Sequence, residues 1–245
     1  MKYISIVILF LFTVLAGCSA NRASVEVQKN DFSVTPKYCY VNDCFNIIRS
    51  TQIQLFNDSL SNGNYKFKTK TTLIAGNKRE VDIVSINSHV KDDIVTVDTE
   101  RFVAQFNQKT REIIEVVDKT GDVSEEQIEI LKDLFRQMAG LSYNNYASSG
   151  DVIDYDMRMS LQSSTITLKV KMYVHGLTEY KGKNYPLLEY RGGGNFWIKG
   201  RKLVLSLSGY ALLDGTLNRT AKSVMDFAVS YGSKNERWKM ILEGI

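Results

Sequence analysis

The sequence predicts a mainly β domain: a curved antiparallel sheet, or an unclosed barrel, with one covering helix. Three observations lead there. Apolar and polar residues alternate strictly over many segments, so each strand has one buried and one wet face. Clusters of turn formers separate those segments. A single stretch carries a convincing helical period. The composition agrees: 13 Tyr and 11 Phe supply strand formers, and the 245 residues hold only two prolines. A formal net charge of +4 is too small for the basic footprint of a nucleic-acid binder.

The chain opens with an export signal. Lys2 supplies a positive charge, and residues 4–16 are almost wholly apolar. Thirteen residues make roughly 20 Å of helix, short of a hydrocarbon core of about 30 Å. A positive start, a short apolar run and small residues at its end read as a secretory leader over residues 1–17. Residues 18–35 are polar and weakly periodic, and read as a tether. The folded part, 36–245, then reads as one β-rich domain. Strands followed by a helix, then strands again, suggest two similar halves, 36–140 and 151–245, jointed at 143–150. No residue-by-residue repeat supports the division.

Leu15-Ala16-Gly17-Cys18 resembles the lipobox of bacterial lipoproteins, over the first twenty residues only. The resemblance implies a diacylglycerol on the Cys18 thiol, cleavage before it, and usually a further acyl chain such as palmitate on the new amino group. Several acyl chains exceed what stable anchoring needs. Ser19, where an Asp would resemble an inner-membrane retention signal, implies the outer membrane, with the domain facing the periplasm or the cell surface.

An exported domain meets an oxidising compartment. Cys39 and Cys44, five apart across Asn42-Asp43, read most simply as a disulfide closing a tight loop, worth on the order of 2 kcal/mol. The rival readings are a redox pair, which favours C-x-x-C beside a helix, and a metal site. Zinc takes about four ligands, and His89 and His175 are the only histidines, far apart in sequence. No metal and no cofactor are expected.

Strands follow. In 65–73, Tyr65 and Phe67 share one face while Lys66, Lys68 and Lys70 share the other. That lysine row reads as the wet face of an edge strand guarded against aggregation; an anionic lipid or glycan is the sharper alternative. Residues 81–86, 94–97, 102–106 and 113–117 read as further strands. Ser124 and Gln127 form a capping box, and Gly140 stops the helix. Its apolar arc is Ile128, Ile130, Leu131, Leu134, Phe135 and Met138, opposite a net acidic side, so it is expected to cover a sheet face.

Beyond the joint, Ile153, Tyr155, Met157, Met159 and Leu161 alternate with Asp154, Asp156, Arg158 and Ser160. Residues 165–175 put Ile166, Leu168, Val170, Met172 and Val174 on one face. Residues 186–191, 195–199, 203–207, 210–213, 224–231 and 237–242 read as separate strands. Gly192 to Gly194 lack a Walker lysine and a following helix, and read as a turn or bulge.

Signals for catalysis are weak. Ser88-His-Val-Lys91, Lys119-Thr-Gly121 and Tyr143-Asn-Asn145 imitate penicillin-binding enzymes, but Ser88 lies in a strand-and-turn region and the motifs fall in the wrong order. Asp154 and Asp156 lie about 7 Å apart along a strand, with Arg158 on the same face, and read as a solvated ion-pair ladder. The expectation is a non-catalytic envelope lipoprotein that acts as an interaction or assembly protein. The membrane is met through its lipid, and an envelope protein is the expected partner. A carrier of lipid or another apolar ligand, with Met157, Met159 and Met172 lining a groove, is the first alternative. An unrecognised envelope hydrolase is the second.

Overall fold

The computed structural model describes residues 33–34, 38–40, 43–49, 52–55, 62–75, 78–110, 112–121, 125, 128, 132, 146–161, 164–198, 200–214, 219–231 and 234–244. The leader, most of the tether and Cys18 lie outside them. So does most of the expected helix; Glu125, Ile128 and Lys132 have helical backbone.

The described strands run in chain order as β1 (Ser33–Val34), β2 (Tyr38–Tyr40), β3 (Asp43–Phe45), β4 (Ile47–Arg49), β5 (Ile53–Gln54), β6 (Gly63–Ala75), β7 (Lys78–Lys91), β8 (Ile94–Asp98) and β9 (Phe102–Asn107). They continue as β10 (Ile113–Asp118), β11 (Tyr146–Ala147), β12 (Val152–Leu161), β13 (Ser164–Tyr180), β14 (Lys183–Ile198), β15 (Arg201–Asp214), β16 (Arg219–Tyr231) and β17 (Lys234–Gly244).

Thirteen strands form one antiparallel sheet; twelve follow the order β1-β4-β13-β14-β15-β16-β17-β6-β7-β8-β9-β10, and β12 pairs with β13 off that path. The sheet does not close into a barrel. The long strand β13 gives one flank to two partners: β12 pairs with its first part and β4 with its last. Strands β12 to β17 form one meander and β6 to β10 another. Pairing of β17 with β6, from Arg237↔Ile74 to Gly244↔Phe67, joins them.

The alternation read from the sequence sets the faces. Ile166, Leu168, Val170, Met172 and Val174 of β13 are all buried, and Leu203, Leu205 and Leu207 of β15 are buried beside them. On the other face, Phe45 and Ile47 cover Leu187, Tyr210, Leu212 and Val224, with Phe45 edge-on to Tyr210 at 5.2 Å. This end of the sheet is therefore buried on both sides. Elsewhere its second face is wet.

Three expectations are corrected. Residues 186–191 and 195–199 belong to one strand, β14, whose register with β15 runs unbroken from Leu187 to Ile198. The glycine run is strand interior, not a turn or bulge. A Cβ on Gly192 or Gly193 would stand 2.5 Å from a carbonyl oxygen of Lys169 or Leu205 respectively, so the neighbouring chains leave no room for a side chain. Likewise 203–207 and 210–213 are one strand, β15. Finally, β6 lies between β17 and β7, so Lys66, Lys68 and Lys70 guard no edge.

Candidate functional site

The end buried on both sides holds the densest polar chemistry among the described residues. A bulge builds its first part. Between Val174 and Gly176 the register of β13 against β14 shifts by one residue. Gly176 takes φ +137, and a Cβ there would lie 2.5 Å from the Ile48 carbonyl oxygen; glycine alone fits. The bulge turns His175 toward β14, where Glu189 Oε2 lies 2.8 Å from its Nε2. Arg191, two residues on along the same strand, donates its Nε–H to Glu189 Oε1. Its guanidinium lies 5.4 Å from the centre of the Tyr173 ring, a cation–π distance.

Glu189 is a carboxylate with 4% of its side chain exposed. A group so buried needs hydrogen-bonding partners, and Arg191 and His175 supply them. Burial, then the guanidinium charges of Arg191 and Arg49, hold the His175 imidazole below its usual range. A neutral ring with its hydrogen on Nε2 fits this placement. Ser149 donates its hydroxyl hydrogen to the His175 carbonyl oxygen at 2.6 Å, not to the ring, so these three residues do not form a nucleophile–base relay.

Next to Glu189 in register stands Tyr210. Its hydroxyl donates to Asp43, which also takes Lys222 Nζ at 3.1 Å. Burial first, and then the Asp43 carboxylate, push the Tyr210 phenol far up. One strand further, Glu243 accepts from the Tyr180 hydroxyl at 2.7 Å and from Lys181 Nζ at 2.6 Å. Those two hydrogen bonds hold its carboxyl below the ordinary range. Burial and Glu243 raise Tyr180, and Glu243 raises Lys181. Asp43 thus fastens the β2–β3 hairpin down onto the sheet. Cys44 of that hairpin is disulfide-bonded, and Cys39 stands directly opposite it in register.

The remaining sequence candidates fall elsewhere. Met172 is packed in the core with 1% of its surface exposed. Met157 and Met159 stand opposite Leu168 and Ile166 in the β12–β13 register; their side chains lie outside the described residues. Asp154 pairs across the strands with Lys171 at 3.1 Å, and Arg158's side chain is not among those described. His89 hydrogen-bonds Asn64 at 2.6 Å. Ser88 is interior to β7.

Sequence reasoning did not find Glu189, Arg191, Tyr210, Asp43, Lys222 or Glu243. One signal was present: Pro186-Leu-Leu-Glu-Tyr190 breaks alternation, and an apolar run holding one carboxylate marks a strand buried on both faces with a paired charge.

The sheet also leaves apolar surface in water. Its last strand, β10, pairs on one side with β9, and Ile114 and Val117 on it are 52% and 42% exposed. Tyr146, Val152 and Trp197 are exposed as well.

No protein-family model matches the chain, and no curated protein matches it. Among solved structures it is similar to the hypothetical lipoprotein YmcC from Escherichia coli (K12), with 8% identity and a TM-score of 0.30, over 71% of this chain and 82% of that one.

Proposed function

We propose that this is a lipid-anchored protein of the bacterial outer membrane, attached through Cys18, that works by holding another envelope protein rather than by catalysis. The anchoring reading rests on the Leu15-Ala16-Gly17-Cys18 stretch. The holding reading rests on one observation: among the described residues the sheet ends in β10, with Ile114 and Val117 half exposed. A strand edge with apolar side chains is a template for a partner's strand. A carrier is less well supported, because a residue only 1% exposed, as Met172 is, has no water-sized void beside it.

The test is photo-crosslinking in intact cells with a reactive side chain at Val117, and at Asp154 as a control. One discrete protein adduct at Val117 alone supports the reading. Adducts absent at Val117, together with a bound mass of a few hundred daltons in native mass spectrometry of the mature chain, would replace it with the carrier. The mass of the mature N-terminal peptide tests acylation separately.

A further inference from the structure

Lys66, Lys68 and Lys70 are exposed on one face of β6, spaced about 7 Å apart along the strand. Adjacent members of the row therefore sit within about one Debye length of each other at 0.1 M salt, and they repel. Their cross-strand neighbours do not relieve this. On β7 they face Asn87, Ser85 and Ile83. On β17 they face Ile241 and Glu243, and Glu243 is taken by Lys181 and Tyr180. Among the described residues none of the three lysines forms an ion pair. Protection of an open edge, the usual reason for such a row, does not apply to a strand flanked on both sides.

We propose that this lysine row rests on the anionic phospholipid surface to which the protein is tethered. It rests on the lipid-anchored reading for its location, not for its chemistry. Reach is sufficient. Fifteen residues separate Cys18 from Ser33, an extended length of about 50 Å at most. β6 is seven strands from β1 in the sheet order, about 34 Å at the usual spacing. Each lysine close to an anionic surface adds about fivefold to partition, so three acting together supply about a hundredfold. Anchor and patch would then fix which face of the sheet looks away from the bilayer.

The experiment is co-sedimentation of the mature chain, with Cys18→Ser so that no acyl chain contributes, on vesicles of phosphatidylethanolamine with 30% phosphatidylglycerol and on vesicles of phosphatidylcholine alone. All the described strands lie within that chain. Binding to the anionic vesicles only, weakening with salt and lost by about a hundredfold in Lys66→Gln/Lys68→Gln/Lys70→Gln, is the expected result. Circular dichroism verifies that the triple variant keeps its strands. Equal binding to both vesicles, or unchanged binding by the folded variant, would overturn the proposal. So would retention on a soluble polyanion with none on vesicles. If native Cys18 proves unacylated while anionic vesicles still bind, the anchor reading fails and the lysine surface stands.

Discussion

The partners of Glu189 and of Glu243 both include a cation and a further donor, yet the two stand in opposite surroundings. Glu189 is 4% exposed, with Arg191 and His175 as partners. Glu243 is 40% exposed, with Lys181 and Tyr180. The contacts look alike on paper. Their energetic meaning differs, because a buried carboxylate that loses its cation has no water to turn to, whereas an exposed one does. The lesson is that the cost of breaking either pair depends on which member remains and where it sits.

The largest effect should come from Arg191→Ala, which takes the guanidinium away from a carboxylate in a dry place. We expect a loss of about 3 kcal/mol, read as a drop in the urea midpoint. Removing the acid instead leaves Arg191, 61% exposed, in contact with water. Glu189→Gln should therefore cost about 1 kcal/mol. Equal losses from the two variants would break the comparison.

Next comes Tyr210→Phe. It removes the donor to Asp43 but leaves Lys222 in place, and should cost about 1–2 kcal/mol. A hairpin that is clipped more readily by protease would sharpen the view that Asp43 fastens it.

The third test is pH. His175 is held below its ordinary range when folded, so the unfolded chain takes up the proton first. Its contribution is fully present above about pH 6.5 and shrinks as pH falls below that value toward the folded pKa. Urea midpoints between pH 7.5 and 5.5 should fall more steeply in the wild type than in His175→Gln. Parallel slopes would mean that the ring is already charged beside Glu189.

The smallest effect belongs to Lys181→Ala, because its ion pair with Glu243 lies in water and is screened there; the same unfolding curves check it. A loss as large as that of Arg191→Ala would show that exposure does not separate the two glutamates.

The sheet was readable in the sequence because alternation reports a one-sided strand directly. Strand β13 shows it most cleanly, with Ile166 to Val174 buried at every second position. Turn formers between strands are equally direct signals: Asp92 and Asp93, between β7 and β8, both take positive φ. What misled was glycine. Gly192, Gly193 and Gly209 are strand interior, at places where the neighbouring strands crowd the backbone. The position of β6 was unreadable for another reason: its second partner, β17, lies at the far end of the sequence, and no local pattern names it. The same holds for the polar cluster, where Asp43 meets Tyr210 and Lys222 across most of the chain.

The pairing of β17 with β6 also has a consequence for how the molecule is born. A ribosome delivers β6 early and β17 late, so the edge that joins the two meanders stays bare through most of synthesis. Closing so long a loop is entropically expensive and slow. The β6–β10 meander must wait for that late strand before its edge is filled.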